Sequence, residues 1–365
     1  MLNMITQKEF SNCLYGISNH AKSLVKIFND QNILSLSDFL NHRIKLRKNL
    51  FTPDVLFVRN DPIQLVNLPD KIGSTKILKL DDEIFFGALI NNQRIGTILL
   101  TNNDFARARG YNADFCDITP TNFIIGWDID SHHWFDNSFQ LALFADIYVP
   151  AQFQCSELYA RFCPLTIGVV PLGSLQWELE FLIQHSSILF KDRNSSKPTG
   201  IHGYYQDYIY RNSIIERWHE VSDQCFLAQN LTRYSSLSPI DRLGFWTQTT
   251  THLVSPVNGD LPFRFFDALI TRSAVLVPSE LEHAVSRLGL DLADQALIQY
   301  FNPSELTVNM MEKLKDNAKV HWEYSRIQAM RTNISLDSRI AKHHVNARIA
   351  EILDKSHIFI KRIES

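Results

Sequence analysis

The sequence predicts an α/β protein with two parallel β-sheets, and three observations support this fold class. The chain has 365 residues, which exceeds the size at which a single hydrophobic core usually stops growing. Short apolar runs rich in Ile, Val, Leu or Phe alternate with polar segments long enough to hold helices. The series of runs restarts after about residue 176. Because alternating strands and helices form parallel sheets with helices on both faces, we expect two such domains.

Each apolar run is bounded by Asn, Asp, Gly or Pro, as buried strands usually are. The first series of predicted strands is Val55–Val58, Lys76–Leu80, Ile95–Leu100, Phe123–Trp127, Asp146–Val149 and Thr166–Val170. The second series is Ser187–Phe190, Gln224–Ala228, His252–Ser255, Ala274–Val277 and Ala296–Tyr300. Helices are predicted at 7–50, 206–221, 262–270, 280–288, 304–317, 320–331 and 336–355.

The boundary between the two series is predicted near Val170–Trp177, where Pro171 and Gly173 interrupt the pattern. We therefore expect an N-terminal domain over 1–175 and a second domain over 176–335. The segment 336–365 is predicted to be helical. On its basic face, His343 and His344 are predicted to be solvated.

Composition excludes several classes of protein. Hydrophobic residues make up 45% and charged residues 21% of the chain, as in ordinary globular proteins, and the net charge of −3 gives no indication of nucleic-acid binding. The five cysteines are scattered without CxxC spacing, which predicts neither a zinc site nor a disulfide framework. Since we find no signal-peptide pattern and no long apolar run, we expect a cytoplasmic protein.

A basic stretch, Arg43–Lys48, follows the polar start of the chain. It is interpreted either as a solvated helix face or as a weak binding surface for anionic lipids at the inner face of a membrane.

The segment His252–Pro278 is the strongest local signal, because it is predicted to form a strand, a glycine loop, a helix and a further strand. Asn258, Gly259 and Asp260 form a turn signal, and Asp260 is predicted to cap a helix whose first turn contains Pro262.

The start of this helix has the features of a diphosphate site. Backbone N–H groups and the positive end of the helix dipole point towards the loop. Arg264 adds a forked cation, and Asp267 lies where a carboxylate can accept hydrogen bonds from a ribose. An ordinary βαβ unit with an exposed Arg and Asp explains the same pattern.

This segment resembles the donor-site signature of GT-B glycosyltransferases. The residues that carry the resemblance are Ser255, Pro256, Gly259, Arg264, Asp267, Ala268, Leu269, Val277 and Pro278. The preceding Arg242–Trp246 resembles the helix that commonly comes before this strand. The chain departs from the pattern in having Asp267 where Glu is usual, and it lacks the paired glutamates of retaining enzymes.

The resemblance implies two Rossmann-like domains that face each other across a cleft, with a C-terminal helix that crosses back to the first domain. It also implies a nucleotide-sugar donor bound by the second domain, no cofactor and no bound metal. By analogy, Lys191 and Arg193 face the donor phosphates, although a solvated loop explains them equally well. Arg211 also resembles a recurrent position of the family.

The segment Ile124–Asn137 is rich in candidate proton acceptors. Active sites of parallel sheets lie at the carboxyl ends of strands, and these residues follow a predicted strand. An inverting transferase needs a base for the acceptor hydroxyl, which Asp or His can supply. The candidates are Asp128, Asp130, His132 and His133. Helix capping is the alternative for Asp128 and Asp130, and satisfying a buried polar group is the alternative for the two histidines.

The predicted function is therefore transfer of a sugar from a nucleotide-activated donor to a glycan or other hydroxyl acceptor, for example in surface polysaccharide synthesis. Two alternatives remain: a sugar-nucleotide epimerase of the same fold, and a degenerate transferase that acts as a binding partner.

Overall fold

The computed structural model describes thirteen stretches of the chain. These are residues 44–60, 65, 67–90, 93–109, 121–130, 135–153, 165–189, 199–204, 208–219, 224–227, 236–257, 259–332 and 335–364. The chain divides into two compact units. The first unit runs up to Leu172 and includes the residues from Arg348 onward, and the second unit is Gly173–Ala347.

The first unit contains a six-stranded sheet. Its strands are β1 (Val55–Arg59), β2 (Lys71–Ile72), β3 (Thr75–Leu80), β4 (Thr97–Thr101), β5 (Phe123–Asp128) and β6 (Ile147–Pro150). They lie in the order β2-β3-β1-β4-β5-β6, and all neighbours are parallel except the short edge pair β2 and β3. Every residue of β4, β5 and β6 is buried, as expected for strands covered on both faces.

Three helices follow strands of this sheet: α1 (Asp82–Ile90), α2 (Asn102–Arg109) and α3 (Phe135–Phe144). Their apolar side chains pack against the strands in one core. Its buried members are Phe85, Phe86, Leu89, Ile98, Leu100, Phe105, Ile124, Leu141, Phe144 and Ala145.

The second unit contains a five-stranded sheet that is parallel throughout. Its strands are β7 (Thr199–Tyr204), β8 (Gln224–Leu227), β9 (Thr251–Leu253), β10 (Ala274–Pro278) and β11 (Ile298–Phe301). They lie in the order β11-β10-β9-β7-β8. Both units are therefore α/β structures built on parallel sheets, which confirms the predicted fold class at that level.

The helices of the second unit occupy the segments between and after its strands. They are α4 (Leu179–Gln184), α5 (Ser186–Leu189), α6 (Ile209–His219), α7 (Pro239–Gln248), α8 (Arg264–Ile270), α9 (Glu282–Ser286), α10 (Leu292–Gln295), α11 (Val308–Thr332) and α12 (Leu336–His343). Within the described residues, none of the helices combines the length and the apolar character needed to cross a membrane.

A final helix, α13 (Val345–Glu364), starts within the second unit, and its residues from Arg348 onward belong to the first. The ring of His357 lies edge-on to the ring of Phe51, with centroids 6.3 Å apart. Phe51 also contacts Phe123 of β5 at 5.2 Å. This helix is thus part of the packing of the first unit.

Several predicted elements are wrong in detail. The predicted strand Ser187–Phe190 falls on α5, where Leu189 is buried in the same core as Leu182 of the preceding helix α4. The run Thr166–Val170 makes one bridge, Thr166 to Tyr148, and does not continue as a strand. The two helices predicted between 304 and 331 are a single helix.

The predicted solvated face of the late helix is also wrong. His343 is 1% exposed and His344 is 0% exposed. The ring nitrogen Nε2 of His344 lies 2.8 Å from the backbone oxygen of Trp177, so this histidine anchors the segment that begins the second unit. Gly173 in that segment approaches the backbone of His344 so closely that a Cβ would lie 2.7 Å from it.

Candidate functional site

The order of strands in the second sheet reverses between β7 and β9. The chain moves outward from β7 to β8, then returns to β9 and continues to β10 and β11 on the other side. In open α/β sheets, ligands bind in the crevice outside the carboxyl ends of the strands at such a reversal. The candidate site therefore lies where the chain leaves β7 and β9.

The elements that follow these two strands are tied together by Arg211 and Ser255. Arg211, in the first turn of α6, is 5% exposed, and its Nε donates to the backbone oxygen of Ser255 at 3.0 Å. The Ser255 hydroxyl donates to the backbone oxygen of Arg211 at 3.4 Å. The Arg211 guanidinium also lies over the ring of Tyr208 at 5.7 Å. We call this reciprocal pair the Arg211–Ser255 bracket.

The loop after the bracket is a tight turn. Gly259 has φ of 83°, in the left-handed region where residues with a Cβ are strained. Asp260 is 3% exposed, and its carboxylate accepts from the backbone N–H of Val257, which closes the turn. The prediction that Asp260 caps the following helix is wrong. That helix begins at Arg264 without a side-chain cap, because the carboxylate of Asp260 is bonded to the preceding turn. Pro256 is buried in the same loop.

Arg264 is the first residue of α8 and is partly exposed. Its guanidinium carbon lies 4.6 Å from the centroid of the Phe263 ring. Because α8 has only seven residues, the side chain, rather than the helix dipole, is the main source of positive charge at this point.

Asp267 lies on the same helix and is 0% exposed. Gln176 donates to its Oδ2 at 2.5 Å. Burial raises the pKa of Asp267 to about 6, although Ser174, Gln176, Arg264 and Arg242 all favour its charged form. Its carboxylate is directed into the interior of the unit, and the predicted ribose contact remains a prediction.

Asp128 closes strand β5 in the first unit and is 0% exposed. Its Oδ1 accepts from the hydroxyl of Ser138 at 2.8 Å, and its Oδ2 accepts from the hydroxyl of Tyr148 at 2.6 Å. Since these donors lie on α3 and β6, Asp128 joins three neighbouring elements through two buried hydrogen bonds.

Asp130, two residues further on, is partly exposed. Its Oδ2 accepts from the side-chain amide of Asn103 at 3.3 Å. Asn102 binds the same segment, because its Oδ1 accepts from the backbone N–H groups of Ile129 and Asp130, both at 3.2 Å. Neither asparagine was among the predicted site residues, although an Asn-Asn pair directly after a buried strand was an available signal.

These asparagines lie at the reversal of the first sheet, where β1 is adjacent to β4. Arg59 ends β1, is 1% exposed and forms ion pairs with Asp104 and Asp82. Asp104 also accepts from the hydroxyl of Thr101 at 2.7 Å. This buried network holds the carboxyl edge of the sheet in place.

Of the described residues in the basic stretch, Arg47 faces inward. Arg47 is 4% exposed and forms a two-point ion pair with Asp146, in which Nη2 and Oδ2 are 2.6 Å apart. Its Nη2 also donates to the backbone oxygen of Asn122. Lys45 is exposed. Arg47 is therefore not available to bind a membrane surface. Membrane association through the other basic residues of the stretch stays a prediction.

Five predicted site residues lie outside the described residues: His132, His133, Lys191, Arg193 and Asn258. Within the described part of the chain, no group of three or more His, Cys, Asp or Glu side chains is arranged to hold a metal ion.

The protein therefore has two α/β units. In each unit, polar or cationic side chains lie at the carboxyl ends of the parallel strands. No protein-family model and no curated protein sequence matches the chain. Among solved structures, the sucrose-phosphate synthase of Thermosynechococcus elongatus is similar over 84% of this chain and 86% of that chain, at 9% identity and a TM-score of 0.38. A similarity of this size is too low to transfer a function.

Proposed function

We propose that the protein is a glycosyltransferase of the GT-B type whose second unit binds a nucleotide-sugar donor. The observation that supports this most directly is the Arg211–Ser255 bracket, which holds a tight glycine turn next to Arg264 at the strand reversal. The resemblance of the same segment to the GT-B donor signature supports the choice of ligand.

In the proposed site, Arg264 and the backbone N–H groups of the turn bind the phosphates of the donor. Preorganised donors aimed at charge that develops on the leaving group are usually the largest contribution to catalysis of this kind. The bracket fixes the start of this loop to α6 without any ligand, because both of its hydrogen bonds are internal to the protein. Lys191 and Arg193 are proposed to add charge around the phosphates.

The proposed base is Asp130, with His132 and His133 as the other candidates. A base must be accessible to the acceptor hydroxyl and must have an oxygen or nitrogen that can accept its proton. Asp130 is partly exposed, whereas Asp128 is fully buried and both of its oxygens already accept hydroxyl hydrogen bonds. We therefore propose a structural role for Asp128.

The acceptor is proposed to be a glycan hydroxyl, in surface polysaccharide or glycoconjugate synthesis in the cytoplasm. No cofactor or metal is part of this proposal, since the nucleotide-sugar is itself a substrate.

The donor site can be tested with the Arg264→Met variant. We expect one of UDP, GDP, CMP and dTDP to bind the wild-type protein in calorimetric titration, and the variant to bind it about 10- to 100-fold more weakly, as a lost charge-assisted contact implies. The matched control is Arg331→Met, which removes an exposed arginine from the end of α11. Equal affinity in all three proteins would overturn the assignment of Arg264.

The reaction is tested separately with a labelled donor that matches the nucleotide found. Product on an added glycan acceptor supports the transferase. An isomerised sugar or free sugar formed without any acceptor supports the epimerase, and nucleotide binding without turnover supports the degenerate transferase.

A further inference from the structure

The long helix α11 carries more exposed large apolar side chains than any other described helix or strand. Val320, Tyr324, Ile327 and Met330 are each between 44% and 65% exposed. Single apolar side chains are normal on a protein surface, whereas a contiguous group of them marks a surface that contacts something else. We call Val320, Tyr324 and Ile327 the α11 stripe.

The stripe faces a single direction, away from the second unit. An α-helix turns by about 100° per residue, so Val320, Tyr324 and Ile327 lie within an arc of about 60°. The opposite side of α11 is buried, with Met311 and Leu314 in a core together with strands β9 and β10. The helix is therefore amphipathic over its buried half, and the stripe adds a second apolar line on its outer face.

Exposed charges of opposite sign lie at the two ends of the stripe. Asp316 precedes Val320 by four residues, and Arg331 follows Ile327 by four residues. All four side chains lie on the same face, within an arc of about 60°. The spacing of this face is the same from either end of the helix, with steps of four, seven and four residues.

This symmetric spacing fits a second copy of the same helix running in the opposite direction. A twofold axis midway between Val320 and Ile327 sets Val320 of each copy level with Ile327 of the other. The same axis sets each Asp316 level with the Arg331 of the other copy. Parallel helices would instead pair each charge with its own kind. A surface that complements itself about a twofold axis is what a homodimer requires.

The carboxylate of Glu323 does not oppose this arrangement. Glu323 is exposed and lies about 60° to one side of Val320, at the rim of the face, where its carboxylate stays in water. The apolar centre of the face is thus free to be covered, while charged side chains surround it. This is the usual arrangement of a protein interface.

We propose that the protein forms a weak homodimer in which the outer faces of two α11 helices pair antiparallel. The apolar side chains of the stripe supply the attraction, and the two Asp316–Arg331 pairs fix the direction and register. One pair of helices covers less surface than a standard interface, so we expect dissociation at the low micromolar concentrations used for fluorescence. The pairing uses no residue of the candidate donor site, so the proposal does not depend on the proposed function.

Sedimentation equilibrium over about 5–500 µM protein tests the dimer by mass action. We expect the average mass to rise from one chain towards two. Ile327→Ser should weaken the association at least about tenfold, because it removes an apolar side chain twice from the symmetric interface. The matched control, Ile84→Ser, removes an exposed isoleucine from α1 and should behave as the wild type. The mass of one chain at every concentration, or equal weakening by both variants, would overturn the proposal.

Charge reversal tests the antiparallel register. Asp316→Arg and Arg331→Asp each set like charges against each other, so each variant alone should dimerise about tenfold more weakly. An equimolar mixture of the two variants should recover the association, because every facing pair is again of opposite sign. The double variant Asp316→Arg/Arg331→Asp should recover it for the same reason. Both positions are exposed, so folding should not change.

Two outcomes of these experiments count against the proposal. Failure of both the mixture and the double variant to recover the association would overturn the antiparallel pairing. A protein that stays a single chain but binds neutral lipid vesicles, and loses that binding in Ile327→Ser, would assign the stripe to a membrane surface instead.

Discussion

Replacing Asp267 by Asn should stabilise the second unit at neutral pH and change its stability little at pH 4. The carboxylate is 0% exposed, and burial raises its pKa from 3.8 to about 6. A group whose pKa is higher in the folded state favours folding when it is protonated. The contribution of Asp267 to the free energy of unfolding is therefore fully present below pH 3.8 and is lost as the pH rises towards 6.

The magnitude follows from the shift in pKa. One pKa unit corresponds to 1.36 kcal/mol, so the rise to about 6 implies a loss of roughly 3 kcal/mol between pH 4 and pH 7. Asn has the shape of the protonated carboxyl group, and its side-chain oxygen can still accept from Gln176. The variant therefore avoids the cost of a buried charge and keeps the hydrogen bond.

The assay is urea denaturation of both proteins at several pH values between 4 and 8, followed by tryptophan fluorescence. Trp177 and Trp246 lie in the core of the second unit, so their signal reports on its unfolding. The control is Asp316→Asn, which removes an exposed carboxylate from α11. A stability difference between wild type and Asp267→Asn that is the same at pH 4 and pH 8 would refute the account of this residue.

Three further substitutions test a close backbone approach, a buried ion pair and a buried hydrogen bond. Gly173→Ala should lower the free energy of unfolding by about 1–3 kcal/mol, because the new Cβ would lie 2.7 Å from the backbone N of Val345; urea denaturation measures it, and an unchanged midpoint contradicts the close approach. Arg47→Met should lower the free energy of unfolding by about 3–5 kcal/mol, since it leaves Asp146 charged and buried. A loss below about 1 kcal/mol would show that the ion pair is dispensable. Asp128→Asn should lower the free energy of unfolding by about 1–3 kcal/mol, because the new amide N–H points towards a hydroxyl that donates to Asp128 in the wild type. A lower melting temperature is the readout.

The strands buried on both faces were predictable from their sequence. Runs such as Phe123–Trp127 and Ala274–Val277 consist mainly of apolar residues, because parallel strands are covered by helices on both sides. The strand β7 was not predicted. Its sequence, TGIHGY, has two glycines and no apolar run, and its place between β8 and β9 depends on pairing with both of them. Such pairing is fixed by distant parts of the chain rather than by local preference.

The candidate site shows the same division between local and distant information. The turn at Gly259 and the position of Arg264 at the start of a helix follow from the local sequence. The contact of Arg211 with Ser255 joins residues 44 positions apart, and that of Gln176 with Asp267 joins residues 91 positions apart. Sequence alone could name Arg211 and Asp267, but it could not tell that Asp267 would be buried and hydrogen-bonded to the distant residue Gln176.

The helix α13 has a consequence for how the chain is made. Residues from Arg348 onward pack in the first unit, where His357 contacts Phe51, although the whole second unit lies between them in the sequence. A ribosome releases the first sheet long before it releases this helix. The second unit is continuous and can close as it emerges, whereas the first must keep an apolar surface open until residues 348–364 arrive. During synthesis, the half of the protein that is translated first is therefore the half that is completed last.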